Sequence, residues 1–193
     1  MYLIKELAML MVGHSSVSKR PRRIRICAEQ MPMRPDNALR IAFFRFTPNT
    51  QEATIQTFLP LPNFAESARC LDNRRLGKQR VETLQILKAL TIPNYGWRNH
   101  PAVKMWKGHE AHLVIYGLAI CNEWLRRGYS DTCAAKIGEF MPSGVENLAP
   151  PSWLGSEPFH ASHRSNLLRK EPDHYRQFHW TDGPDLPYVW PVA

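Results

Sequence analysis

The side chains best suited to acid–base chemistry lie in the stretch CLDNRRLGKQRVETLQILKAL, residues 70–90. It carries Arg74, Arg75, Lys78 and Arg80 in quick succession, and the next charged residue is a single carboxylate, Glu82. Wound as a helix, the segment puts Leu76, Thr83, Leu84, Leu87 and Leu90 on one arc and Arg74, Lys78, Glu82 and Gln85 on the opposite one, with Arg75 at its edge. Lys78 and Glu82 are then neighbours one turn apart. On a solvated face such a pair contributes only about 0.3–0.5 kcal/mol and implies no chemistry. The other reading gives Glu82 a task. Flanking cations favour its ionised form, a negative side chain costs affinity on a phosphate-binding surface, and acid–base work on a bound nucleic acid accounts for its presence.

Two further stretches mix cations with aromatic rings. YGWRNHPAVKMWKGH offers Arg98, His100, Lys104 and Lys107 as phosphate donors, interleaved with Tyr95 and Trp97 as stacking platforms. FHASHRSNLLRKEPDHYRQFHW adds His160, His163, Arg164, Arg169, Lys170, Tyr175 and Trp180. Of these, Arg98, His100, Lys104, Lys107, His163, Arg164, Arg169, Lys170 and Tyr175 are, with Arg74, Arg75 and Arg80, the expected DNA contacts. Trp106, Tyr116 and Trp124 fall at core positions, whereas Trp97 and Tyr175 sit among polar residues. The pairs His109/His112 and His160/His163 have spacings found in zinc sites, but a third ligand and a patterned neighbour are missing, so no metal or other cofactor is assigned. A metal-dependent nuclease using His160 and His163 stands as the minor alternative.

These residues need elements to hold them. A chain of 193 residues supports one sizeable domain with an appended arm. Its net charge of +8 makes nucleic acid the leading partner. Residues 1–54 hold nine Lys or Arg against four Asp or Glu, with proline-broken runs and one candidate strand, RIAFFRF. They read as a basic, poorly ordered extension that either tracks phosphates or is not native to the protein. Residues 55–193 form the domain. The apolar IQTFLPLPNF is an extended lead-in; a first helical segment is expected from about Ala65 to Leu90, in one piece or in two with a bend near Asp72 or Gly77, and a second from Pro101 to Gly128 at the centre of the core. A short helix near Asp131–Phe140 and a third main helix, capped by Ser162 and ended by Pro172, complete a mainly α, compact single domain of three principal helices with extended loops and an aromatic tail. Cys27, Cys70, Cys121 and Cys133 lack a paired spacing and read as reduced thiols. No run is long enough to span a membrane, so a cytoplasmic protein is expected, nucleoid-associated if bacterial.

In order and spacing, four segments resemble the pyrimidine-dimer DNA glycosylases. LDNRRLGKQRVETL is similar to the family's catalytic helix, with Asp72, Leu76 and Glu82 at the marker positions. NHPAVKMWKGHEAHLVIYGLAICNEWLRRGYSDT is similar to the central helix, and SHRSNLLRKEPDHYRQF to the last helix and basic tail. IQTFLPLPNF looks like the chain start of bacterial relatives, in which methionine replaces Ile55. The resemblance implies a cofactor-free glycosylase with lyase activity on damaged double-stranded DNA, acting as a monomer: an amine attacks C1′, a Schiff base forms, and β-elimination cuts the strand. Carried over by position, Glu82 is the catalytic carboxylate. The family's nucleophile is the α-amine of the mature chain. Three readings follow here: a chain that begins or is processed near Ile55 or Gln56, an internal amine such as Lys78, or absence of the lyase activity; a DNA-binding relative without catalytic activity is the alternative to all three.

Overall fold

The computed structural model describes residues 55–144 and 148–191, all within one compact unit, Pro48–Ala193. The expected basic extension, its candidate strand and Cys27 lie outside the described residues. Those that are described form seven α-helices and one 3-10 turn, with no strand among them, which matches the mainly α expectation.

Local signals set the helix boundaries. The Asn63 side chain accepts from Glu66 N at 3.0 Å and starts α1, Phe64–Cys70. Asp72 then accepts from Arg75 N at 3.0 Å and starts α2, Asn73–Thr91. The first helical segment is therefore in two pieces, parted at Leu71–Asp72, while Gly77 lies within α2. A larger correction concerns the expected helix 101–128. It divides into α3, Pro101–Trp106, and α4, Glu110–Arg126, because Gly108 turns the chain at φ +80°, a conformation that residues with a Cβ seldom adopt. His100 starts α3, its ring nitrogen accepting from Ala102 N at 3.2 Å. Asp131 fixes the start of α5, Ala134–Gly138, by accepting from Cys133 N and Ala134 N.

The last main helix also begins earlier than the sequence suggested. α6 spans Glu157–Lys170 with Ser156 before its first turn, so Ser162 is an interior, buried residue rather than a cap. Pro172 does more than end it: the proline opens α7, Pro172–Tyr175, where a first-turn position needs no N–H. The 3-10 turn Arg176–Phe178 follows.

Helix α4 is the central packing element, lying against α1, α2 and α5. Leu76, Ile86 and Leu87 of α2 meet Leu113, Tyr116 and Ile120 of α4 in a core that also holds Trp106, Phe159 and Tyr175. The backbones of α2 and α4 come close at Gly117, where an added Cβ would stand 2.6 Å from Thr83 Cγ2. Arg127 ties α1 to the end of α4 by donating to the carbonyls of Ala68, Arg69 and Leu71. No helix among the described residues is long and apolar enough to cross a membrane.

Candidate active site

The lead-in, residues 55–60, is buried along its whole length and extended. Its backbone has no strand partner, so its polar groups must find side chains instead. Phe58 N donates to Gln79 Oε1 at 3.0 Å, Gln79 Nε2 donates to Gln56 O at 2.7 Å, and the Tyr116 hydroxyl lies 3.1 Å from Phe58 O. From α6, His160 Nδ1 meets Leu59 O at 2.8 Å, His163 Nδ1 accepts from Leu59 N, and Arg164 donates to Pro60 O. Trp106 Nε1 closes the set by donating to Thr57 Oγ1 at 3.0 Å.

This framework brings the lead-in to Glu82. The glutamate is 3% exposed, which corrects the expectation of a solvated face. Its carboxylate accepts from Gln79 Nε2 at 2.6 Å and pairs with Lys78 Nζ at 3.1 Å. The backbone N–H of Gln56 also bonds it. The expectation that nearby cations hold Glu82 firmly ionised is overturned as well. Burial is the larger influence and pushes its pKa up to about 7, against the opposing effects of Lys78 and the Gln56 N–H. Lys78 itself is 58% exposed, so the pair has one wet and one dry member. A cavity of about 250 Å3 adjoins them, lined by Ile55, Lys78, Val81, Glu82, Gln85 and Trp97.

Gln79 is the residue that sequence reasoning missed. Its Oε1 accepts from Phe58 N and from the Tyr116 hydroxyl at 2.7 Å, while its Nε2 serves Gln56 O and Glu82. Both ends of the carboxamide are thus committed. A signal was present: Gln79 interrupts the apolar stripe of Leu76, Thr83 and Ile86 at helical spacing, and a polar residue buried there must be bonded. Asp131 was missed too. It holds Arg80, whose guanidinium lies 4.3 Å over the Trp124 ring.

The expected DNA contacts divide into two groups. Arg74, Arg98, Lys104, Lys107, Arg169 and Lys170 are exposed, and His100 is half-buried. Lys170, although 92 positions from Lys78, comes close enough that partial burial, then Arg169, Arg75 and Lys78, lower its pKa. The other group faces inward. Arg75 is tied to Asp72 at 2.7 Å, Arg80 to Asp131, and Arg164 to Asp182 and Glu157. Tyr175 is buried with its hydroxyl on Asp72 at 2.7 Å. His163 is fully buried, which pushes its pKa down to about 3. These five side chains, buried or half-buried, brace the fold.

The histidine pairs are explained by packing. His160 uses both ring nitrogens, on Leu59 O and on Gly155 N at 2.9 Å. His109 and His112 rings meet edge to face at 6.4 Å. Among the described residues no group of three or more His, Cys, Asp or Glu side chains is arranged to hold a metal.

The site is thus a buried carboxyl group, its pKa raised to about 7, at a cavity whose lining includes one cation, Lys78. Residues 55–137 match the family model described as pyrimidine dimer DNA glycosylase. The chain has no significant match among curated proteins or among solved structures.

Proposed function

We propose that the described domain is a DNA-repair glycosylase for pyrimidine-dimer lesions in duplex DNA, with Glu82 as its acid–base carboxylate. The observation that carries this reading is the placement of Glu82, buried beside a cavity and brought to a pKa of about 7. A carboxyl group with that pKa exchanges protons readily at neutral pH. As the glycosidic bond breaks, positive charge grows at C1′, and the carboxylate form lies ready to offset it.

The reading extends to a lyase step, in which an amine bonds to C1′, the base departs, and the resulting imine permits β-elimination with Glu82 moving the protons. The Gln56 nitrogen has the position for this, against Glu82, but in an Ile55–Gln56 peptide its lone pair is delocalised into the amide. A chain beginning at Gln56 would carry an α-amine there, with a pKa near 8 and a usable neutral fraction. In the unprocessed chain Lys78 Nζ, 3.1 Å from the carboxylate, is the amine at hand. The enzyme in this reading is a cytoplasmic monomer without a cofactor.

The deciding experiment is borohydride trapping on dimer-containing and abasic duplexes in EDTA. It should be run with the full chain, with Lys78→Ala and with a chain beginning at Gln56. A covalent complex lost in Lys78→Ala assigns the lysine, and one formed only by the shortened chain assigns the α-amine. Duplex binding with no base release by any of them removes the glycosylase reading.

A further inference from the structure

The tail beyond the 3-10 turn lies along α6 and is joined to it by buried polar side chains. Ser165 Oγ accepts from Leu186 N at 2.9 Å, Asn166 Nδ2 donates to Leu186 O at 3.2 Å, and Ser162 Oγ accepts from Val189 N at 3.2 Å. Leu186 and Val189 are exposed, and between them the Tyr188 hydroxyl is buried. The Tyr188 ring meets the rings of His163 and Trp190, with centroids 5.4 and 5.5 Å away. Trp190 in turn meets His100 edge to face at 6.1 Å, so the tail is anchored on both sides of Tyr188.

That hydroxyl has no hydrogen bond of full geometry in this structure. A buried polar group left in that condition is uncommon and costly. Burial pushes its pKa up to about 12, and the Gln56 side chain, Arg169, Arg75 and Glu82 all lie close enough to act on it as well. The hydroxyl therefore keeps its proton at neutral pH and sits at the seam between the lead-in and the carboxylate. Gln56 Oε1 is an acceptor with capacity to spare: it accepts from Thr57 N at 2.9 Å, which leaves it a second lone pair. The backbone nitrogen of the same residue bonds Glu82, so a grip on the Gln56 side chain steadies the atom that faces the carboxylate.

We propose that Tyr188 is a positioning residue of the site: its hydroxyl donates to Gln56 Oε1 and holds the Gln56 nitrogen against Glu82. The proposal rests on the reading of Glu82 as the acid–base group and adds a residue from the aromatic tail. The groups that face Glu82 are Lys78 and Gln79 from α2, Tyr116 from α4, the Gln56 N–H from the lead-in and Tyr188 from the tail. The Gln56 N–H favours the ionised carboxylate, and once loosened it favours that form less.

Tyr188→Phe removes the donor and keeps the ring, its neighbours and the burial of Glu82. One readout uses no DNA: the Glu82 carboxyl carbon of the full chain is titrated by NMR, its signal assigned by its loss in Glu82→Gln, with melting curves to verify each fold. The parent should titrate near pH 7, Tyr188→Phe at higher pH, Gln56→Leu likewise, and the double variant no further than either, because one route carries both effects. The other readout is base release from dimer-containing duplex. Tyr188→Phe should lower kcat by about 3- to 10-fold with KM little changed, and its pH profile should move to higher pH. A Tyr188→Phe titration equal to the parent's, or shifts that add in the double variant, overturns the proposal and leaves Tyr188 as packing alone. Shifted titrations in a parent that releases no base would instead remove the glycosylase reading and leave the positioning role standing.

Discussion

Gln79 Nε2 lies 2.6 Å from Glu82 Oε2, so the carboxylate at the centre of the site is held by a side chain one turn away whose other bonds grip the lead-in. The carboxamide cannot turn over without exchanging donors for acceptors at Phe58, Gln56 and Tyr116. Replacing it with Gln79→Leu leaves several buried polar groups without partners. The expected loss is about 2–4 kcal/mol of folding stability, measured by urea unfolding. Because a donor to the carboxylate is lost, the pKa of Glu82 should rise further, and the pH dependence of base release should move to higher pH.

Glu82 itself should show opposite effects on activity and stability. Glu82→Gln is expected to lower base release by about 10²- to 10⁴-fold while leaving duplex binding in place. Its folded pKa of about 7 is raised above the ordinary value of 4.5. The folded state thus favours the protonated form, and the associated stability is present below pH 4.5 and lost as pH rises through 7. At pH 8 the glutamine variant should be the more stable by roughly 3 kcal/mol at most, the advantage fading below pH 5. Parallel melting series at the two pH values check this; equal shifts at both would contradict it.

Acid should act in the opposite direction through Asp72. Burial tends to raise its pKa, but the hydrogen bonds from Arg75 and Tyr175 outweigh that and hold it low. A depressed carboxylate contributes stability that is present above its ordinary value and lost as pH falls through the folded one. Asp72→Asn should therefore cost about 1–2 kcal/mol at pH 7, since it weakens a helix cap and unpairs Arg75. The penalty should shrink toward pH 2 in unfolding experiments.

The two groups of cations predict two kinds of variant. Alanine at Arg74, Lys104 or Lys107 should weaken binding to any duplex and lower the slope of log K against log salt by about 0.9 for each phosphate contact removed. Methionine at Arg164, which bonds Asp182, Glu157 and the Pro60 carbonyl, should instead lower stability by about 3–5 kcal/mol. Its salt slope should match the parent's. Salt titrations and melting curves on the same samples separate the two groups.

Close approach of α2 and α4 gives a fifth expectation. Gly117→Ala puts a methyl group against Thr83, next in sequence to Glu82, and should cost about 1–3 kcal/mol. Gly117→Ala with Thr83→Ser, which removes the nearest methyl and leaves those of Ile137 at 3.1 and 3.2 Å, should recover part of it.

Much of this was legible in the residues themselves. The helical spacing of Leu76, Leu87, Tyr116 and Ile120 marked the core, and the order of four segments pointed to the family that residues 55–137 match. The burial of Glu82 was harder to see. A helical projection assigns a direction but not what lies there, and the covering group is the lead-in, which joins α2 through side-chain bonds rather than a strand ladder. The inward arginines were missed for a related reason. Arg164 and Asp182 are 18 positions apart and Arg80 and Asp131 are 51 apart, so composition showed the charge but not its partner.

The lead-in also sets an order of events. Leu59 is bonded by His160 and His163, and Pro60 by Arg164, contacts that span 101 to 104 positions. Leu59 and Pro60 cannot reach these partners until α6 has been made and docked, because the loop closure that such distant contacts require comes before their reward. A nascent chain ending before α6 would hold the lead-in through Gln79, Tyr116 and Trp106, so the Leu59–Pro60 end of the lead-in is the last part to be fixed.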